Sequence, residues 1–170
     1  MMTALLLAVA CLQDPPKDAG LEELKAAWQK VIELCRDGRK DDLQKVIAGM
    51  ELTRDEMKAL FSEEKAAKAH PRYQEAWKKV LAEAADDLMA RFKNTPWDEV
   101  EVWCLNGLPD KERSDEDRAV VESLAKKDSK VYSLRLKQKG KAEGFVLRCF
   151  VKTEAGWRMG LRIGKALAEK

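Results

Sequence analysis

Few side chains in this sequence combine a reactive type with a spacing that chemistry requires. His70 is the only histidine, so any histidine-based triad or metal site depends on it. It stands beside Pro71 at a predicted helix junction, where a solvated or capping imidazole is favoured over a general base or a ligand. No cysteines or carboxylates accompany it at ligand spacing, and we therefore predict no zinc site.

The four cysteines include no C-x-x-C pair. Cys35, Cys104 and Cys149 fall on predicted apolar faces, where each is expected to be a small buried hydrophobic residue. In an exported chain, one disulfide among them is the alternative. We assign no nucleophilic role to any of them.

Glycine-rich phosphate loops of the form G-x-x-x-x-G-K or G-x-G-x-x-G do not occur in the sequence. Tyr73 and Tyr132 lie on predicted inward faces, and core packing with the hydroxyl at the edge is the favoured interpretation of both. We therefore predict no catalytic residue, no cofactor and no metal ion.

A group of arginines near aromatic residues is the feature that a binding role could use directly. Strand parity places the group on one side of the predicted C-terminal sheet, where we expect the arginines to form a row. Planar guanidinium groups beside aromatic rings suit carboxylate, phosphate or anionic glycan ligands. The alternative is a solvated face balanced by Glu99 and Glu101. The predicted anion-binding face consists of Arg135, Arg148, Arg162, Trp103 and Phe150.

These side chains are positioned by a sheet that we predict in the C-terminal half. Apolar and polar residues alternate from Trp97 and predict one strand that ends at Asn106-Gly107, and residues 130–164 predict three more. Phe145, Leu147, Cys149 and Val151 are expected to face inward from the second strand of that meander. The last strand is expected to extend through Ile163.

Helices are predicted in the first half of the chain, where apolar residues recur at spacings of three and four. The first covers 21 to about 38, and a shorter one starts near 42. Thr53 and Glu56 form a capping box that starts a third. The long fourth helix is expected from Pro71 to Asn94, with an interruption at His70-Pro71 before it.

Composition bounds the domain count and the class of partner. At 170 residues and 45% hydrophobic content the chain suits a single domain, which we place at 21–167. The 32 basic and 30 acidic residues nearly cancel, which gives no electrostatic case for a nucleic-acid partner. The predicted fold class is α+β, with N-terminal helices packed on a four-stranded, mainly antiparallel, curved sheet.

The N-terminus has the pattern of an export signal. Residues 3–10 are small and aliphatic, and a polar, proline-bearing segment follows Cys11. The run fits the roughly 7 to 15 residues of a signal h-region but is short of the roughly 20 that span a bilayer. We expect a signal peptide or lipoprotein signal at 1–12 and a flexible tether at 13–20.

Two processing sites compete within this signal. Ala8 and Ala10 are the small residues that a leader peptidase reads, whereas Ala10-Cys11 resembles the end of a bacterial lipobox. In the second case Cys11 carries a lipid that anchors the chain to the membrane. The expected location is periplasmic or membrane-anchored, and a cytosolic N-terminus remains the alternative.

The element order resembles the cystatin-like α+β roll of the nuclear-transport-factor-two-like superfamily. Helices come first, then a strand, then a meander whose last strand opens with Gly156-Trp157-Arg158. The resemblance is one of pattern and covers about 21–167. It implies a long helix on a strongly curved sheet with a pocket between them. Some members of that superfamily are isomerases or dehydratases that use an acid or base in the pocket, and many others only bind.

Taken together, these features predict a small exported, non-catalytic binding or scaffold domain of the bacterial envelope. Its expected partner is a small anionic ligand or an envelope protein. An isomerase-like or hydrolase-like enzyme that uses the pocket between long helix and sheet is the runner-up, and an oligomerising structural domain is a third possibility.

Overall fold

The computed structural model describes residues 18–126 and 128–168. The predicted signal at 1–12, including Cys11, and most of the predicted tether lie outside the described residues. Within the described part of the chain, no helix is long and apolar enough to cross a membrane. The elements are α1 (Ala19–Arg36), α2 (Lys40–Ala48), α3 (Arg54–Leu60), α4 (Glu63–Asn94), β1 (Glu99–Cys104), α5 (Asp115–Ser123), β2 (Val131–Lys137), β3 (Gly144–Thr153), β4 (Gly156–Met159) and α6 (Ile163–Ala168).

The sheet has four antiparallel strands in the order β1-β2-β3-β4, and it is not closed. The helices precede it in the chain except for α5 and α6. The predicted α+β class, the long helix and the four-stranded sheet in the C-terminal half are therefore confirmed. The capping box of Thr53 and Glu56 is also present at the start of α3, as predicted.

The long helix α4 starts earlier than predicted and runs through the proline. Ser62 caps it by accepting a hydrogen bond from the Lys65 amide, and Pro71 lies inside it. The predicted interruption at His70-Pro71 is therefore wrong. An internal proline costs about 3 kcal/mol, because it removes one hydrogen bond and crowds the preceding turn. The helix continues because one buried stripe passes across the proline without a break: Ala66, Ala69, Tyr73 and Trp77.

Tyr73 connects three parts of the fold through its hydroxyl group. This side chain is 1% exposed. Its hydroxyl accepts a hydrogen bond from the Leu52 amide at 2.7 Å and donates one to the Met159 carbonyl at 3.1 Å. The Met159 amide in turn donates to the Met50 carbonyl at 2.9 Å. The long helix, the segment after α2 and the end of β4 are thereby held together.

Helix α1 covers the sheet face that carries Tyr132 and Phe150. Trp28 packs edge-on against Phe150, with ring centroids 5.5 Å apart. At the helix start, Asp18 accepts hydrogen bonds from the Tyr132 hydroxyl and from Lys130. The Lys130 hydrogen bond is the main cause that holds the pKa of Asp18 below its ordinary value. The Trp28–Phe150 contact therefore fixes α1 to β3, and the hydrogen bond between Asp18 and Tyr132 fixes the helix start to β2.

A β-bulge in β3 overturns part of the predicted face assignment. Tyr132 pairs with Phe150 and Leu134 pairs with Leu147, so Arg148 and Cys149 together oppose one residue of β2. Cys149 has a φ of 62°, in the left-handed region. The extra residue reverses the parity downstream. Phe150 was predicted on the outer face, but it is 0% exposed and lies in the helix-covered core. Val151 was predicted to face inward, but it lies on the opposite face of the sheet from Phe150.

The same bulge explains why the last strand is short. Phe150 and Met159 are the last residues that pair between β3 and β4 before the bulge. The Cys149 carbonyl then accepts a hydrogen bond from the Gly160 amide at 2.7 Å, and the chain turns. The predicted extension of this strand through Ile163 is wrong, since Ile163 begins α6 and is buried there.

Removing the Tyr73 hydroxyl should destabilise the fold measurably. Tyr73→Phe leaves the Leu52 amide and the Met159 carbonyl buried without a partner, which typically costs about 1 to 3 kcal/mol. Tyr132→Phe is the matched control, because its partner Asp18 is partly exposed and can bind water instead; we expect less than about 1 kcal/mol there. The measurement is urea unfolding of both variants. Equal stability of Tyr73→Phe and the parent would contradict the assigned bridge.

The Glu56 carboxylate should make stability depend on pH in the acid range. Burial opposes its charge, but hydrogen bonds from Thr53, Arg158 and Thr153 outweigh burial and hold the pKa of Glu56 below its ordinary value. Its contribution is therefore complete above about pH 4.3, the ordinary glutamate value. It is lost as the pH falls further, through the lowered pKa of the folded state.

Glu56→Gln tests this contribution by urea unfolding between about pH 7 and pH 3. We expect the variant to be less stable than the parent at neutral pH and the difference to shrink as the pH is lowered. Asp55→Asn, an exposed neighbour in the same first turn, serves as the control. A constant difference across this range would show that the Glu56 charge does not contribute.

Candidate functional site

A cavity of about 330 Å³ opens between α4 and the sheet. One side is formed by α4 and the other by β3 and β4, with α1 and α2 contributing one residue each. Its walls are mainly apolar, whereas charged side chains stand at its rim. The main apolar residues are Trp28, Ile47, Leu88, Phe145, Leu147 and Met159.

The cavity exists because α4 is fixed at two points and carries small residues between them. At one point Tyr73 binds the Met159 carbonyl. At the other, Phe92 packs on Trp97, which stacks on Phe145 with centroids 5.8 Å apart. Ala84 lies between these points and lines the cavity. Because a methyl group cannot fill the space that a larger side chain would occupy, a gap remains in an otherwise dense interior.

The ionisable groups of the cavity lie at its rim and not in its interior. Among the described residues that line it, these groups are Lys79, Glu83, Asp87 and Arg162, and all four residues are exposed. Asp87 accepts a hydrogen bond from Arg91 at 2.7 Å, and Glu75 accepts one from Lys79 at 2.8 Å. This arrangement offers an apolar interior with a charged entrance, and none of the described lining residues supplies a general acid or base to the interior.

The buried groups with displaced pKa values lie elsewhere. Burial raises the pKa of the Cys35 thiol to about 11 and that of the Cys149 thiol to about 12. Burial likewise raises the pKa of Tyr73, whose hydroxyl is occupied by backbone partners. His70 lies in α4 and is half-buried, and it does not line the cavity. Across the described residues, no group of three histidine, cysteine or acidic side chains could hold a metal ion.

The predicted anion-binding face is divided in the structure. Arg135 and Trp103 do come together, with the guanidinium 5.7 Å from the ring centroid, but Arg135 also donates to Glu101 at 3.1 Å. Arg148 lies in the bulge and forms an ion pair with the buried Asp117. Phe150 is in the core. The expected continuous row is therefore wrong as a geometric arrangement.

Arg162 does not lie on that face of the sheet. It lies in the turn between β4 and α6, at the rim of the cavity. Sequence parity could not place it, because the strand on which parity was counted ends at Met159. The small residues of α4 were the sequence signal for a cavity. Ala76 and Ala84 interrupt a helical stripe of much larger side chains.

A larger cleft of about 690 Å³ lies at the other end of α4, next to the β2–β3 hairpin. Long polar side chains dominate its walls, including Arg91, Lys137 and Lys141. Phe145 separates it from the cavity, since this ring lines both. Ligand pockets are mainly apolar with a few polar groups, so we regard the smaller apolar cavity as the candidate site.

No protein family, curated protein or solved structure matches this chain. The resemblance to the nuclear-transport-factor-two-like superfamily therefore stays a prediction.

The thiols provide a test of the absence of a cysteine nucleophile. Cys35 and Cys149 are buried, and Cys104 is half-buried; none of the three is in a disulfide. Alkylation requires the thiolate, which a raised pKa suppresses. At about pH 7.5 an ordinary exposed thiol is partly ionised and reacts with iodoacetamide. In the folded protein we expect Cys35 and Cys149 to remain unmodified at this pH.

Peptide mass spectrometry after a timed reaction reads out each cysteine separately, and the urea-unfolded chain is the control in which all should react. Rapid modification of Cys35 or Cys149 in the folded state would show that one of them is an activated thiol.

Proposed function

We propose that this protein is a non-catalytic binding module that holds the apolar part of a small molecule in the cavity between α4 and the sheet. We further propose that it acts after export, at the bacterial envelope. The cavity carries the first proposal. The apolar run at 3–10, followed by Cys11 and a polar segment, supports the second.

The size and lining of the cavity fit a small ligand. Ligand pockets commonly measure about 300 to 1,000 Å³ and have mainly apolar walls with a few polar groups. A dry apolar cavity of about 150 Å³ already binds a benzene-sized molecule. The cavity here, about 330 Å³, therefore has room for a larger apolar group.

The walls are held in place before any ligand binds. Trp28 is 1% exposed and packs on Phe150, and Met159 is tied through its carbonyl to Tyr73. Phe145 is held by Trp97 on one side and by the Arg91 guanidinium, 4.6 Å from its ring centroid. Preorganised walls reduce the ordering that a ligand has to impose, which favours binding.

Binding is favoured over catalysis because of where the ionisable groups lie. An enzyme that uses this cavity needs an acid or a base within reach of a buried substrate atom. The described lining residues that ionise are exposed at the rim. Among them, Glu83 is the carboxylate without an assigned partner, and a catalytic role would have to be built on it.

Filling the cavity from α4 tests the proposal. The neutral fluorescent probe N-phenyl-1-naphthylamine should bind the parent protein saturably, with enhanced emission. Ala84→Phe places a ring in the cavity and should weaken this binding at least tenfold, which corresponds to about 1.4 kcal/mol. Ala82→Phe, on the exposed side of the same helix, is the matched control and should bind like the parent.

Thermal melts establish that both variants are folded before binding is compared. If the probe binds Ala84→Phe as tightly as the parent, the cavity is not the binding site. If it binds none of the three proteins, the proposed function is wrong.

A further inference from the structure

A second, smaller concavity of about 230 Å³ adjoins the apolar cavity. The two share Ala76, Lys79 and Arg162. The smaller one lies between α4 and α6, and its lining is dominated by cations. The described charged residues that line it are Arg72, Lys79, Arg162, Lys165 and one carboxylate, Glu75. An apolar chamber therefore opens beside a basic one, and Arg162 stands at their boundary.

Arg162 adopts a backbone conformation that an arginine rarely takes. Its φ is 55°, in the left-handed region where glycine is favoured because it has no Cβ. Strain of this kind tends to occur at ligand-binding positions, where the side chain is needed despite its conformational cost. Among the described residues, the Arg162 guanidinium has no hydrogen-bonding or ionic partner. No polar contact of this side chain with another described residue therefore accounts for the strain.

The charges around the boundary are unequally compensated. Lys79 is paired with Glu75 at 2.8 Å, and Asp87 with Arg91 at 2.7 Å. Within the described part of the chain, Lys165 of α6 has no hydrogen-bonding or ionic partner, and neither has Arg162. Of the described carboxylates that line the two spaces, Glu83 is the one without an ion pair, and it lines the apolar cavity but not the basic concavity. The positive charge that no described carboxylate balances is therefore concentrated on the side of α6.

We infer that the ligand class of this site is an amphiphile with an anionic headgroup. Its apolar chain occupies the cavity lined by Trp28, Leu147 and Met159, and its headgroup binds Arg162 and Lys165 at the entrance. A guanidinium group binds carboxylate or phosphate oxygens through paired hydrogen bonds, and the neighbouring ammonium adds a second charge. This inference rests on the proposed function, because it assigns the headgroup of a ligand whose apolar part fills the same cavity.

Displacement of N-phenyl-1-naphthylamine by ligands with one chain and different headgroups tests the inference. Dodecanoate, dodecyl phosphate, dodecanol and dodecyltrimethylammonium are compared at low salt, below their micelle-forming concentrations. At least one of the two anions should displace the probe at a concentration at least tenfold lower than dodecanol, and the cation should be the weakest. The two anions distinguish a fatty-acid headgroup from a phospholipid-type headgroup.

Variants at the entrance locate the headgroup. Arg162→Gln should lose about tenfold in affinity for the preferred anion, equivalent to about 1.4 kcal/mol, and little for dodecanol. Arg162→Gly should show the same loss together with an unchanged or higher melting temperature, because glycine relieves the left-handed strain. Lys78→Gln, an exposed neighbour on α4 that lines neither space, is the matched control. Higher salt should reduce the difference between anion and alcohol.

The outcomes distinguish a failure of the headgroup assignment from a failure of the proposed binding function. If all four ligands displace the probe with similar affinity, or if Arg162→Gln binds the anion like the parent, the headgroup assignment is overturned and the apolar site remains. If no probe or ligand binds the parent, the proposed function fails as well.

Discussion

The bridge made by the Tyr73 hydroxyl is the constraint on which much of this structure depends. It is buried, it joins the long helix to Leu52 and to Met159, and both partners are backbone groups. A buried backbone group without a partner is costly, so the spacing between α4 and the end of β4 is fixed within a narrow range. The opposite end of the helix is fixed by the ring stack of Trp97 and Phe145. Between these points the alanines of α4 cannot move closer to the sheet, and the cavity is the consequence.

The bulge at Arg148 and Cys149 has effects on both sides of the sheet. It turns Phe150 into the core, where Trp28 packs against it, and it ends the ladder after Met159. The chain then turns into α6, which packs closely on α5. A Cβ added at Gly164 would lie 2.5 Å from the Glu116 carbonyl oxygen, so glycine is required at this contact. One extra residue in a strand therefore decides both the core and the position of Arg162 at the rim of the cavity.

The cavity and its entrance combine two kinds of physical contribution. Apolar burial supplies attraction that is not directional, whereas cations at a rim supply orientation and selectivity. Exposed ion pairs contribute little on their own, and the paired charges of Lys79 and Asp87 are of that kind. Arg162 differs from them, because it has a left-handed φ of 55° beside an apolar space and because its guanidinium has no ionic partner among the described residues.

Local signals determined the fold class from the sequence alone. Helical and alternating periodicities predicted the first-half helices and the strands, and the capping residue Thr53 marked a helix start that the structure contains. These features depend on neighbours within a few residues, so they can be recognised in one dimension. The absence of metal-ligand and phosphate-loop motifs was also a property of the sequence.

The tertiary structure decided the faces of β3, the length of α4, the positions of the arginines and the lining of the cavity. A bulge is set by packing between strands, and a single one reversed the expected positions of Phe150 and Val151. Pro71 predicted a break, yet the continuous buried stripe on either side of it kept α4 whole. The arginines expected in one row depended on a strand that ends early, and this separated Arg162 from Arg135. A cavity is a gap between elements distant in the chain, so only their assembly shows which side chains surround it.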